Sequence, residues 1–125
     1  MKVRSGIDIL NLDRFEKVFQ KQGDKFLKTF LNDEEIEQAS DRIQTLAGFF
    51  SAKEAAAKAI GRGIWQNNIS WHDFLIKRDQ YGKPFLILSG AALAYYNDLG
   101  GIDIDISISH EKKYVTAVCM MLLDK

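Results

Sequence analysis

One stretch limits what this chain can fold into: Ile102-Asp103-Ile104-Asp105-Ile106-Ser107-Ile108-Ser109 alternates apolar and polar residues without a break. Successive side chains of a strand point to opposite faces, so a strict period of two specifies a β-strand and cannot form a helical stripe. Tyr114–Leu123 follows as an apolar strand, with His110–Lys113 as the hairpin loop between them. The isoleucines of the first strand share one face, and the second strand alternates little. Continuous apolar strands imply cover on both faces. In a chain of 125 residues few helices remain for the second face, so a neighbouring subunit is the expected cover.

The rest of the chain supplies the other elements. Val3–Leu10 reads as a first strand, with Ile7 and Ile9 pointing one way and Asp8 the other. Asn11 is placed to cap a helix from Leu12 to Gln22, which Gly23 ends. On that helix Phe15, Val18, Phe19 and Gln22 form one stripe, and Arg14, Lys17 and Lys21 another. Asn32 followed by Glu35 has the spacing of a capping box and opens a polar helix. The longest helix is expected from about Asp41 to Ile60, stopping at Gly61-Arg62-Gly63. Its alanines favour helix and let neighbouring backbones come close. Phe74–Arg78 and Phe85–Leu88 read as strands around a turn at Tyr81-Gly82-Lys83-Pro84, and Ala91–Leu99 as a short helix. Strands at both ends and helices between give an α+β fold, a mainly antiparallel sheet packed with helices, in a single domain over residues 1–125.

Composition narrows the function classes. The chain is 46% apolar and 27% charged, so it is expected to fold. No apolar run nears the ~18 residues of a membrane span, and Met1-Lys2-Val3-Arg4 leads into no signal-like core, so the reading is cytoplasmic with no membrane contact. The net charge of zero speaks against bulk nucleic-acid binding. Cys119 lies in an apolar run and reads as a buried thiol. Charge is nevertheless segregated: Arg14, Lys17, Lys21, Lys25 and Lys28 crowd one stretch, and Asp33, Glu34, Glu35, Glu37 and Asp41 the next.

Three places put polar residues where structure alone does not need them. Asp8 stands alone between Ile7 and Ile9; taken by itself it belongs on the solvent face of an edge strand. Glu54, Lys58 and Gly61 share a helix face, where a carboxylate and an ammonium are ordinarily an i,i+4 pair worth roughly 0.2–0.5 kcal/mol. Here Phe49, Phe50 and the surrounding alanines mark a helix packed on most sides, and buried charges need partners or a ligand. Lys53 points off that face by about a hundred degrees. Ser107-Ile108-Ser109-His110 ends the alternating strand, where side chains are held rigidly beside an open cleft.

Taken together and in order, these pieces resemble the holo-[acyl-carrier-protein] synthases, the short branch of the 4′-phosphopantetheinyl transferases. Gly6-Ile7-Asp8-Ile9 with Arg14 is similar to the opening motif of that family. Phe50-Ser51-Ala52-Lys53-Glu54-Ala55-Ala56-Ala57-Lys58-Ala59-Ile60-Gly61-Arg62-Gly63-Ile64 is similar to its helix signature. Gly82-Lys83-Pro84 matches its mid-chain turn, and Ser107-Ile108-Ser109-His110 its last motif.

The resemblance implies an α+β transferase that moves the 4′-phosphopantetheine arm of coenzyme A to a serine of an acyl carrier protein, an activity of fatty acid biosynthesis. It implies Asp8, Glu54 and Lys58 as catalytic residues, with Mg²⁺ on the carboxylates of Asp8 and Glu54, because Mg²⁺ prefers oxygen ligands and bridges phosphates. Lys58, Gly61, Gly82, Lys83, Pro84 and His110 are implied to bind coenzyme A, and Arg14, Lys17, Lys21 and Lys25 to dock the acidic carrier protein. The serine proton has two open destinations, Glu54 and a water on the metal. The family is trimeric with sites between chains, so a homotrimer is expected, Gly82-Lys83-Pro84 and His110 reaching the coenzyme from the neighbour.

Three positions depart from the pattern. Phe49 stands where the family usually has arginine, Arg62 where a small hydroxyl residue is common, and Glu111 where a hydroxyl residue is frequent. For the nucleotide end this leaves either weaker affinity or a cation from elsewhere, with Arg62 one candidate. Two rival readings are a binding module without catalysis and a purely structural subunit. The first would hold carrier proteins or nucleotides unchanged; the second would bind no coenzyme A.

Overall fold

A computed structural model describes residues 1–64 and 68–124. In chain order the elements are β1 (Lys2–Asn11), α1 (Leu12–Gln22), α2 (Asp24–Phe30), α3 (Asp33–Ala39), α4 (Ile43–Ile60), a 3₁₀ turn (Trp71–Asp73), β2 (Phe74–Arg78), β3 (Pro84–Leu88), α5 (Gly90–Asp98), β4 (Gly101–His110) and β5 (Tyr114–Leu123). The strands form a three-stranded antiparallel sheet in the order β1-β5-β4 and a separate β2-β3 hairpin.

The expected caps form. Asn11 Oδ1 accepts the Arg14 amide at 3.0 Å, and Asn32 and Glu35 bond each other's backbone amides, both at 2.9 Å. α4 ends on Gly61, whose φ of 85° is a left-handed conformation that glycine adopts without strain. It begins at Ile43 rather than Asp41, because Ser40 and Asp41 take φ of 48° and 60° and interrupt the helical path. The sequence reading leaves Asp24–Phe30 unassigned. It folds as α2, separated from α1 by Gly23 at φ 62°. Phe26 and Phe30 of α2 then join Phe15, Phe50 and Trp71 in an aromatic cluster with ring centroids 4.9–6.1 Å apart.

The core lies where α4 crosses the inner face of β1 and β5. Ala52, Ala55, Ala56 and Ala59 are fully buried there. A Cβ on Gly6 of β1 would collide with the Ala55 carbonyl oxygen and lie 2.6 Å from the Ala59 nitrogen. Glycine on the strand against alanine on the helix therefore brings two backbones together, and with them the side chains that flank the contact.

Two expectations about strand faces are corrected. Ile104, Ile106 and Ile108 pair with Met121, Cys119 and Ala117 and pack inward, whereas Ile102 sits at a register shift and is half exposed. β4 therefore needs no cover from a second subunit for its isoleucines. On β1 the faces are the reverse of the hydrophobic expectation: Ile7 and Ile9 are 65% and 69% exposed, and Asp8 turns inward towards α4. The outer face of the sheet is consequently apolar, with Val3, Ile7 and Ile9 beside Val118, Met120 and Leu122 of β5. The helix stripe is corrected at one end, since Phe15 is buried and Phe19 half-buried but Val18 and Gln22 are exposed.

Candidate active site

The strand β1 and the helix α4 meet at Asp8. Its side chain points to α4 because Gly6, two positions away on the same face, is pressed against the helix backbone. Ser51, Glu54 and Lys58 follow one another along the α4 face that looks at β1. Ser51 Oγ donates to Asp8 Oδ2 at 2.9 Å. Lys58 Nζ donates to the Ile7 carbonyl at 3.0 Å and to Asp8 Oδ1 at 3.3 Å. Thr116 Oγ1 donates to the Asp8 carbonyl at 2.8 Å. The three residues named from the motifs, Asp8, Glu54 and Lys58, thus meet, and the solvent-face reading of Asp8 does not hold.

The electrostatics of the pair are unbalanced. Glu54 is half-buried, and its carboxyl is held above the ordinary glutamate value, first by burial and then by the negative charge of Asp8, with Lys58 acting in the opposite sense. Lys58 is largely exposed and reaches only one oxygen of one carboxylate. Two carboxylates side by side with one exposed ammonium form a place where a further positive charge relieves repulsion. Among the described residues no group of three or more His, Cys, Asp or Glu side chains surrounds a point. A cation held here would take two protein carboxylates and complete its shell with water and substrate oxygens, the habit of Mg²⁺ rather than of zinc.

A second group assembles elsewhere. Pro84 and His110 line a pocket of about 220 Å³ with Arg42, Gly48, Phe49 and Arg78, and none of Asp8, Glu54 or Lys58 borders it. The Arg78 guanidinium lies over the ring of the buried Phe49, 5.7 Å from its centroid. Arg62 is placed apart from this pocket, over Tyr95 at 5.2 Å. The guanidinium found against Phe49 is therefore that of Arg78 and not that of Arg62. Lys83 is tied to Asp105 at 2.7 Å across the surface, and Gly82 makes its turn at φ 82°. Arg14, Lys17, Lys21 and Lys25 are all exposed on α1 and α2.

Lys53 is excluded from the site. It is buried against Glu35, to which it donates at 2.9 Å, and against the carbonyls of Phe30 and Trp71. Sequence reasoning missed Ser51 as a partner of Asp8 and Arg42 with Arg78 as pocket cations. Ser51 carried a readable signal, since it precedes Glu54 and Lys58 at the i, i+3, i+7 spacing of one helix face. The two arginines carried none, because they come from separate elements. Cys119 is buried, and burial with the nearby Asp105 pushes its thiol up to about 12, which removes it as a nucleophile.

Residues 4–119 match the family model of the 4′-phosphopantetheinyl transferase superfamily. The chain is 41% identical over 124 residues to a holo-[acyl-carrier-protein] synthase of Vibrio cholerae, covering 97% of this chain and 98% of that protein. It is 42% identical over 118 residues to one of Sulfurovum sp., covering 94% and 93%. In structure it resembles the Helicobacter pylori holo-[acyl-carrier-protein] synthase in complex with coenzyme A, with a TM-score of 0.86 at 34% identity over 94% of this chain and 99% of that one.

Proposed function

The chain belongs to the 4′-phosphopantetheinyl transferase superfamily, among its holo-[acyl-carrier-protein] synthases, and on that premise we propose how its residues carry the reaction. The chain transfers the 4′-phosphopantetheine moiety of coenzyme A to a serine of an apo acyl carrier protein, releasing 3′,5′-ADP and giving the holo form. The observation that carries the residue assignment is the convergence of Asp8 and Glu54 beside the exposed Lys58. Mass analysis of an apo carrier protein incubated with the chain, coenzyme A and Mg²⁺ tests it. Gain of the phosphopantetheine arm with release of 3′,5′-ADP is the expected result, and binding without modification would make the chain a carrier-binding module.

Asp8 and Glu54 are the protein ligands of Mg²⁺ in this reading, since a divalent cation relieves the repulsion between their carboxylates. When bound, the cation neutralises the pyrophosphate of coenzyme A. The carrier serine oxygen bonds to the β-phosphorus as the phosphoanhydride bond to 3′,5′-ADP breaks, and its hydroxyl proton passes to Glu54 or to water. Lys58 then leaves its weak exposed pairing with Asp8 to meet a non-bridging oxygen, where developing charge rewards it more. Orientation and charge supply the acceleration, as in other phosphoryl transfers. The pocket of Pro84, His110, Arg42 and Arg78 suits the nucleotide end of coenzyme A, with Arg78 supplying the positive charge that Phe49 lacks. Lys83 reaches the coenzyme by exchanging its exposed partner Asp105, a pairing worth about 0–1 kcal/mol. Gly61, in this reading a coenzyme contact, ends α4 at φ 85°, with the Arg4 guanidinium standing where a side chain would begin.

One domain over residues 1–125 is taken to carry these groups, and three copies to complete the site. Val3, Ile7, Ile9 and Met120, with the half-buried Leu122, form an apolar sheet face of the kind that marks an interface. That the pocket with His110 is separate from Asp8 and Glu54 fits a site shared by two chains of a homotrimer. A Glu54→Ala chain and a His110→Ala chain, each poor alone, are expected to regain activity when unfolded and reassembled together, because mixed trimers hold some undamaged sites. Sedimentation as a monomer at micromolar concentration, or mixing that rescues nothing, would place the site within one chain.

Arg14, Lys17 and Lys21 of α1 and Lys25 of α2 form the dock for an acidic carrier protein. Charge reversal at Arg14 or Lys21 should raise KM for the carrier several-fold and leave KM for coenzyme A nearly unchanged. The wild-type rate should also fall with salt, since steering is screened over about 8–10 Å near physiological ionic strength. An effect on coenzyme A alone would instead make the stripe a nucleotide site. No described helix is long and apolar enough to cross a membrane, and the reading places the enzyme in the cytoplasm, serving fatty acid synthesis.

A further inference from the structure

A buried serine in a helix ordinarily satisfies its hydroxyl on the carbonyl one turn back in the same helix. Ser51 does not. It is fully buried, and its Oγ crosses from α4 to β1, donating to Asp8 Oδ2 at 2.9 Å and lying 3.4 Å from the Asp8 carbonyl. The same carbonyl accepts Thr116 Oγ1 from β5 at 2.8 Å. The two oxygens of the Asp8 carboxylate are thereby made unequal. Oδ2 is committed to a buried hydroxyl that has no freedom to leave, whereas Oδ1, among the described residues, meets the largely exposed ammonium of Lys58 at 3.3 Å.

We infer that Ser51 is a positioning residue of the transferase: its hydroxyl holds Asp8 Oδ2 and so presents Oδ1, beside Glu54, as the oxygen offered to the cation. The inference rests on the reading of Asp8 and Glu54 as the Mg²⁺ ligands. A hydrogen bond to a carboxylate both fixes its rotamer and spares the ligand from reorganising when the cation binds, the usual work of groups that support metal ligands. Ser51 is suited to it because the hydroxyl is carried on the same helix as Glu54, so one rigid element sets the distance between both carboxylates. The interaction is directional, and a serine that merely filled space on α4 would serve as well with its hydroxyl turned to its own helix.

The test is Mn²⁺ titration by electron paramagnetic resonance, on wild type, Ser51→Ala and Asp8→Ala, with coenzyme A present, together with thermal unfolding of each. Ser51→Ala should bind Mn²⁺ about 10–100-fold more weakly than wild type, lower kcat by a similar factor, leave KM for the carrier protein unchanged and unfold within a few degrees of wild type. Wild-type Mn²⁺ affinity in Ser51→Ala, with binding lost in Asp8→Ala, would overturn the role of Ser51 alone. Unchanged Mn²⁺ affinity in Asp8→Ala would overturn the metal pair itself. If Ser51→Ala does not fold, Ser51→Cys keeps the volume with a weak donor and gives the same ratio.

Discussion

Alanine at Asp8 or Glu54 should abolish turnover, by at least about 10²–10³-fold, while the fold persists. The magnitude follows from removing a preorganised electrostatic partner of the reacting phosphate, for which single deletions cost that much. The fold should survive because neither side chain is part of the apolar core, and Glu54 sits at a cost, its carboxyl held up by burial and by Asp8. Its folded pKa lies above its unfolded one, so its ionisation subtracts stability as pH rises through the unfolded value. Glu54→Ala removes that penalty, and Asp8→Ala removes one of its causes. Mg²⁺ should therefore raise the Tm of the wild type, by linkage to the folded state, and leave the Tm of either variant nearly unmoved. Activity assays across a Mg²⁺ series and melting curves with and without chelator read both effects. Full activity of either variant in chelator would remove the metal mechanism.

Truncating Lys53 should destabilise the protein by about 3–5 kcal/mol, the cost of stranding one member of a buried ion pair. Against a total stability of about 5–15 kcal/mol this is a large share, and urea midpoints should register it plainly. Lys53 and Glu35 are 1% and 0% exposed and lie 2.9 Å apart. Burial pulls the Lys53 ammonium below the ordinary lysine value, while Glu35 acts to raise it. The pair is also a junction: Lys53 of α4 caps the Phe30 carbonyl of α2 and the Trp71 carbonyl, and Glu35 of α3 accepts the backbone amides of Asn32 and, at 2.8 Å, Ile76 of β2. The double change Lys53→Met with Glu35→Leu removes the stranded charge but leaves those backbone groups without partners, so it should recover only part of the loss. An unchanged midpoint in Lys53→Ala would mean that water reaches the site and the pair is dispensable.

Lys53 also marks where reading the chain in one dimension stops. Its neighbour Glu54 is assigned by a motif and lies with Asp8 and Lys58, yet nothing in the sequence near Lys53 names its partner, Glu35, which stands 18 residues back on α3 rather than on the same helix. The partner of Asp8 was half legible. Glu54 and Lys58 stand out by their spacing, whereas Ser51, at the same spacing, reads as an ordinary small residue until its hydroxyl is seen crossing to β1. Arg78 comes to lie over Phe49 of α4 from the end of β2, and no local pattern announces that contact.

What the sequence alone determined was local. Asn11, the Asn32–Glu35 box and Gly61 set the boundaries of helices because capping is chemistry between residues three or four apart. The alternation of β4 and the extent of β5 were equally legible, because a period of two is a property of the backbone. Which face of a strand becomes the inside is not. A period of two says only that the faces differ, and on β1 the hydrophobic rule would have buried Ile7 and Ile9. Tertiary packing chose the other face, since the missing side chain of Gly6 lets α4 come close enough to bury its alanines. That choice exposes the isoleucines, turns Asp8 towards Glu54, and so makes the candidate site and the candidate interface by one contact between backbones distant in the chain.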